Sequence, residues 1–166
     1  MSETSRVDPE YEWLFDAEFA QIVRSVSLIV HDVELAEDLT QEAFIRLLQR
    51  WRQVSRYDRP GAWVRRVAIH LALNAERRRK VGERVLRRLP PPAPVALAPD
   101  VDLIRAVASL PFAQRTAVVL HYLEGCPAAE IADLLGCAES TARVHLSRAR
   151  RRLADVLGEE AHDAAR

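Results

Sequence analysis

Between Leu89 and Pro99 the run LPPPAPVALAP carries five prolines, and it dictates the layout of everything around it. Proline has no amide hydrogen to donate, and its ring clashes with the preceding helical turn, so no helix interior passes through such a run. On either side, apolar residues recur at helical spacing. Glycine is scarce, five in 166 residues, and no stretch alternates with period two over a useful length. The sequence therefore predicts an all-α chain of two small helical domains, residues 1–81 and 100–166, joined by a Pro-rich extended linker over 82–99.

In the first half, Asp8 followed by Pro9 marks a helix start, and the helix is predicted to run to about His31 with Phe15, Phe19, Ile22 and Val26 or Leu28 on its apolar side. Asp32 is the candidate N-cap of a second helix, from about Val33 to Trp51, with a stripe of Leu35 or Ala36, Leu39, Ala43, Leu47 and Trp51. A third is predicted from Pro60 to about Lys80. The second half opens with 100–110, breaks at Pro111, continues over 112–124 and ends in a helix pair over 127–153. The Ala-rich, acidic tail from 154 to 166 is expected to fray.

That last pair, PAAEIADLLGCAESTARVHLSRARRRL, is a predicted helix-turn-helix. Gly136 suits the left-handed turn that ends the first helix, and Ala132 offers the small side chain that two crossing helices need. In the second helix Ala142, Leu146, Ala149 and Leu153 share one stripe. Ser140, Val144, Ser147 and Arg151 lie opposite, with Arg143, Arg148 and Arg150 on the flanks. From 141 to 153 there are five arginines and no acid. A packed apolar stripe backed by a hydrogen-bonding, arginine-rich face fits a DNA major groove.

Formal net charge is zero, so the distribution of charge matters more than its sum. Residues 77–88 hold seven bases and one acid, whereas 32–42 hold five acids and no base. The acidic stretch is either a solvated face or a docking face for a basic partner. On the third helix Trp63, Val67, His70 and Asn74 share a stripe among Arg65, Arg66 and 77–80, with Trp51 and Tyr57 upstream. Aromatics interleaved with cations suit single-stranded DNA, though Trp and Val at helical spacing also suit a core.

Enzyme readings find little support. Neither a nucleophile beside a base nor a glycine-rich phosphate loop is visible, and the one Glu-x-x-His, Glu159 to His162, sits in the tail. Cys126 and Cys137 make no disulfide framework, and near His121 and His145 they read as packing residues rather than metal ligands. No cofactor or metal is expected. The N-terminal MSETSRVDPEYEWLF lacks a signal-peptide pattern, and the apolar runs are too short for a bilayer, so a cytoplasmic protein without membrane insertion is expected.

Taken in order, ELAEDLTQEAFIRLLQRW, then PGAWVRRVAIHLALNAERRR, a proline-bearing linker, and LPFAQRTAVVLHYLEGCPAAEIADLLGCAESTARVHLSRARRRL resemble an extracytoplasmic-function sigma factor, group 4 of the sigma-70 family. The resemblance covers about residues 10–155. It implies a promoter-specificity subunit without catalytic activity. Glu37, Asp38, Gln41 and Glu42 would dock on the coiled coil of the largest subunit of core RNA polymerase. Tyr57, Trp63, Arg65, Arg66, His70 and Asn74 would open and read the promoter minus-ten element. Ser140, Thr141, Arg143, Val144, Ser147, Arg148 and Arg151 would meet the minus-thirty-five duplex.

The resemblance further implies contact with the polymerase beta flap, a linker threading toward the polymerase channels, and an external anti-sigma factor. Two positions depart from the family pattern, which commonly carries Asn at His70 and often Asp at Asn74. A stand-alone helix-turn-helix regulator is the alternative. It would explain only the C-terminal pair, and no dimerisation helix is evident.

Overall fold

The computed structural model describes residues 7–85 and 101–163; of the expected linker, 82–85 belong to a helix, and 86–99 with the proline run lie outside the described residues. Every regular element among the described residues is a helix. In chain order these are α1 (Pro9–Val30), α2 (Val33–Gln49), α3 (Trp51–Val54), α4 (Pro60–Val85), α5 (Val101–Ser109), α6 (Phe112–Tyr122), α7 (Ala128–Leu135) and α8 (Glu139–Asp163). No helix among them is long and apolar enough to cross a membrane.

The helix ends follow from local chemistry. The Asp8 carboxylate accepts the Glu10 amide at 2.9 Å while Pro9 takes the first helical position, where no amide hydrogen is needed. The Asp32 carboxylate accepts from the Leu35 amide at 3.0 Å and starts α2. Between these helices His31 adopts the left-handed conformation, φ 57°, and its amide returns to the Ser27 carbonyl at 2.7 Å. A single residue thus reverses the chain, and α1 and α2 pack as an antiparallel pair.

An aromatic cluster fastens that pair. The Phe44 ring lies 4.8 Å from Phe15 and 6.3 Å edge-on from Tyr11. The Tyr11 hydroxyl donates to the Phe44 carbonyl at 2.9 Å, which satisfies the one polar atom this cluster buries on α1. Trp51 does not end α2 as expected. The helix stops at Gln49, and Arg50 leaves helical geometry with φ −110°. The turn carries the Trp51 ring over Tyr11, 5.5 Å away at 88°. Val64, Ala68, Ala72 and Leu73 of α4 complete this core, together with Val26 and Ile29 of α1.

Two helices outrun their sequence expectation. The fourth continues past Lys80 to Val85, passing through Gly82 without a break. The eighth runs to Asp163 where fraying was expected. Val156 and Leu157 are half-buried and extend the stripe of Leu146, Ala149 and Leu153, so packing carries the helix past Leu153, where composition argued against it.

The two halves are packed against each other rather than held apart. Arg115 of α6, 7% exposed, donates Nε to the Ile29 carbonyl of α1 at 3.1 Å and NH1 to the Leu110 and Ala108 carbonyls at 3.1 and 3.3 Å. The Lys80 ammonium of α4 sits 4.6 Å from the centre of the Phe112 ring. Desolvation lowers the Arg115 pKa and Glu76, itself buried, opposes that shift, but a guanidinium stays charged throughout the physiological range.

Candidate nucleic-acid interfaces

The C-terminal pair folds as its spacing requires. Gly136 takes φ 67° at the end of α7. The Cys137 amide reaches back to the Ala132 carbonyl at 3.0 Å, closing the helix in a Schellman turn. Ala132 and Ala142 are buried at the crossing of α7 with α8, where their small side chains let the helices approach. Leu146 and Ala149 continue that buried stripe.

All seven residues assigned to duplex reading stand on the opposite side. Ser140, Thr141, Arg143, Val144, Ser147, Arg148 and Arg151 are exposed on the first turns of α8. Arg143 is held by Glu139 one turn earlier, Nε to Oε1 at 3.1 Å. That pair sets the guanidinium along the helix and offsets the charge of the Glu139 carboxylate. Val144, 44% exposed, gives the same face an apolar contact of the kind a thymine methyl accepts.

On α4 the predicted set divides. Tyr57 is exposed just before the helix, its hydroxyl accepting from Gln53 Nε2 at 3.1 Å. His70 and Asn74 are exposed, whereas Trp63 is half-buried against the core, so its ring serves packing as well as presentation. Arg65 is tied down by Glu18 of α1, and its NH2 donates to Gln21 at 3.1 Å. Arg66 pairs with Glu130 at 2.9 Å. Partial burial, then Arg66 and Arg77 on the neighbouring turns, lower the His70 pKa and favour the neutral ring, which both donates and accepts hydrogen bonds.

The acidic face of α2 is a surface. Glu37, Asp38 and Gln41 are exposed, and Glu42 is half-exposed and bound to Arg46 at 2.8 Å. Sequence reasoning missed two members of that surface. Ile45 and Leu48, 51% and 47% exposed, continue the Asp38–Gln41 stripe at helical spacing. The signal was legible: positions 38, 41, 45 and 48 form one row, and the apolar pair ends a row that begins acidic. The acidic patch is thus continuous with exposed aliphatics, a combination of charge and apolar area that protein interfaces share.

The cysteines are free, Cys126 buried and Cys137 half-buried, and burial pushes the Cys126 thiol up to about 11 with help from Glu130 and Glu124. Among the described residues no group of His, Cys, Asp and Glu is arranged to hold a metal.

Comparison with known proteins agrees with this geometry. The Sigma-70 region 2 family model matches residues 14–81, and the Sigma-70 region 4 model matches residues 100–153. The chain is 36% identical over 146 residues to the ECF RNA polymerase sigma factor SigE of Mycolicibacterium smegmatis, covering 78% of this chain and 54% of the relative. It is 32% identical over 154 residues to the ECF RNA polymerase sigma factor SigM of Mycobacterium tuberculosis, covering 89% of this chain and 77% of the relative.

A probable RNA polymerase sigma factor, RfaY of Xanthomonas campestris, is 34% identical over 135 residues, covering 74% of this chain and 34% of the relative. The chain thus spans a third to a half of two of these relatives and about three quarters of SigM. The solved sigma factor RpoE from Bartonella quintana, in complex with the anti-sigma factor NepR, shares the fold with a TM-score of 0.73 at 20% identity, covering 91% of this chain and 98% of that one. Two sigma-70 region models in the expected order, a like fold and the SigM match place the chain in the extracytoplasmic-function sigma factors of the sigma-70 family.

Proposed function

We propose that this chain is a cytoplasmic promoter-specificity subunit of bacterial RNA polymerase, a DNA-binding initiation factor with no catalytic activity of its own. The observation that carries the reading is the separation of three differently charged surfaces on one helical body: acidic and aliphatic on α2, cationic and polar on α4, arginine-rich on α8. In this reading Asp38, Glu37, Gln41 and Glu42, with Ile45 and Leu48, dock on the coiled coil of the largest polymerase subunit. Coulomb attraction sets the approach and the aliphatic pair supplies desolvation on contact.

Tyr57, Trp63, Arg65, Arg66, His70 and Asn74 receive the minus-ten element as an unpaired strand. Rings offer stacking faces and arginines follow the backbone. His70 and Asn74 stand where the family pattern commonly carries Asn and often Asp, and both still offer hydrogen-bonding groups to that pocket. Ser140, Thr141, Arg143, Val144, Ser147, Arg148 and Arg151 meet the minus-thirty-five duplex. Arg143, Val144, Ser147 and Arg148 read base edges, and Arg151 and Arg152 take phosphates. The second half, 100–166, also takes the polymerase beta flap, while 82–99 links it to the first half, 1–81. The fold shared with a sigma factor solved with its anti-sigma factor supports control by a protein of that kind.

Abortive initiation by core bacterial RNA polymerase on a promoter library, with and without the protein, tests this reading. Defined start sites only in its presence are the expected result. Duplex binding by the protein alone, without any stimulation of polymerase, would make it a stand-alone regulator instead. Asp38→Arg is expected to lower core-polymerase affinity at least tenfold with an unchanged circular-dichroism spectrum, since the side chain is exposed. Unchanged affinity would remove α2 from the interface.

A further inference from the structure

One arginine of α8, Arg150, is held by a side chain from another helix. Its Nε donates to the Tyr122 hydroxyl at 2.7 Å, and its guanidinium carbon lies 5.6 Å from the centre of the same ring. Tyr122 ends α6 and is 59% exposed. It is fixed in its turn. The His121 ring meets it edge-on, 4.9 Å away at 86°, and His121 Nδ1 donates to the Cys126 carbonyl at 3.1 Å. A carbonyl only accepts, so that ring nitrogen carries the hydrogen. The ring beside Tyr122 is thereby anchored to the turn that precedes α7.

The chemistry of the partner decides what Arg150 can still do. Arg46, Arg66 and Arg143 are paired with Glu42, Glu130 and Glu139. A carboxylate holds a guanidinium and offsets its charge. A hydroxyl and an aromatic ring hold it and leave the charge whole. With Nε engaged, the terminal nitrogens of Arg150 keep their donors, and the Tyr122 hydroxyl, an acceptor toward Nε, keeps its own hydrogen to donate. An anion at this place meets donors from two helices in a fixed fork, which phosphate oxygens match.

The position on α8 says which anion. Arg143, Ser147 and Arg150 follow i, i+4, i+7 and form one exposed row. A recognition helix sets its N-terminal residues against base edges. Arg150 lies about 10 Å further along the axis than Arg143, beyond the base-reading turns, where the helix crosses the sugar–phosphate backbone.

From this geometry we infer that Tyr122 and Arg150 form a preset phosphate clamp at the edge of the minus-thirty-five duplex: Arg150 takes a backbone phosphate, and Tyr122 is the positioning residue that holds its guanidinium for that contact. The inference rests on the assignment of α8 to the duplex. Fixing a long side chain costs rotamer entropy, and here much of that loss falls on folding, so less ordering remains when DNA arrives. A phosphate carries no sequence information. The clamp therefore sets register and affinity on every promoter and selects among none.

The test loads core bacterial RNA polymerase with the full-length chain, either wild type, Arg150→Ala, Arg150→Lys, Tyr122→Phe or Tyr122→Phe/Arg150→Ala. Fluorescence anisotropy measures binding to promoter duplexes recovered from the library, over a range of KCl concentrations and cold enough to keep the duplex closed. Arg150→Ala is expected to lower the slope of log affinity against log salt by about 0.9, one phosphate contact. It should weaken binding about tenfold on every promoter alike. Arg150→Lys keeps the charge and is expected to restore the slope without the full affinity. Tyr122→Phe keeps the ring and removes only the hydroxyl. It should weaken binding about threefold and add nothing once Arg150 is gone.

An unchanged slope in Arg150→Ala overturns the inference. A loss confined to promoters with one base at one position also overturns it, because Arg150 would then read that base. Equal losses from Tyr122→Phe with and without Arg150 would show that Tyr122 acts apart from it. Weaker binding to core polymerase with the promoter slope intact would give the pair a protein carboxylate instead of a phosphate. Both side chains are exposed, so thermal midpoints near the wild type are expected for all four variants. Failure of the α8 assignment reads differently: Arg143→Ala would then leave the promoter profile unchanged as well, whereas a changed profile with an unaltered Arg150→Ala slope removes only the clamp.

Discussion

Arg143→Ala separates the role of one guanidinium in recognition from its role in the fold. In the free protein Arg143 is 69% exposed and its partner Glu139 47%, one turn apart on α8. An exposed i,i+4 pair contributes about 0.3–0.5 kcal/mol, so the variant should lose no more than about 2 °C of thermal midpoint. A bidentate contact to a guanine edge is worth about 1–3 kcal/mol. If Arg143 makes that contact, promoter-dependent initiation falls about 5- to 150-fold with core polymerase and the preference at one duplex position relaxes.

The substitution also frees Glu139, whose carboxylate then faces phosphates and weakens every promoter alike. The double variant Glu139→Ala/Arg143→Ala removes that repulsion and isolates the base contact. The assay is abortive initiation on promoters that vary one minus-thirty-five position at a time, beside thermal unfolding of the free chains. A uniform loss that the double variant restores would mean Arg143 only screens Glu139. A destabilisation above about 1 kcal/mol would contradict the exposed geometry on which the estimate rests.

Two further outcomes follow from buried groups. Arg115→Met leaves the carbonyls of Ile29, Leu110 and Ala108 without their charged donor, and should cost about 2–4 kcal/mol in urea unfolding. Arg115→Lys should not rescue it, because one ammonium lacks the fork that reaches carbonyls on separate elements; full stability of either variant would show that these bonds only balance the cost of burying the charge. Cys126 has its folded pKa raised to about 11. The unfolded thiol ionises first as pH climbs, so the stability this site contributes is complete below the ordinary thiol pKa and is lost between about 9 and about 11. Unfolding of wild type and Cys126→Ala across that range checks the sign, and an identical alkaline slope in both would refute it.

Much of the molecule was legible in the chain. Capping by Asp8 and Asp32, the proline at the start of α4, the left-handed Gly136 and the stripe Ala142–Leu146–Ala149 are local statements, fixed by side-chain chemistry within a turn or two. The exposed, arginine-rich face of α8 follows from that stripe, since one buried side of a helix defines the other. The acidic row on α2 was equally visible, and its aliphatic end at Ile45 and Leu48 was available to the same spacing argument.

Other features needed the tertiary structure, because they depend on contacts between residues far apart in the chain. The break at Arg50 exists so that Trp51 can lie on Tyr11, forty residues earlier. The extension of α8 past Leu153 rests on the half-buried Val156 and Leu157, packing that composition does not reveal. Above all, two helical halves separated by prolines could sit anywhere relative to one another as far as periodicity is concerned. Their docking is decided by apolar packing of α1 against α5 and α6, with long-range bonds such as Arg115 to Ile29 and Arg65 to Glu124. Such bonds leave no periodic trace in sequence, because each needs only one residue on either side and a three-dimensional path that brings them together.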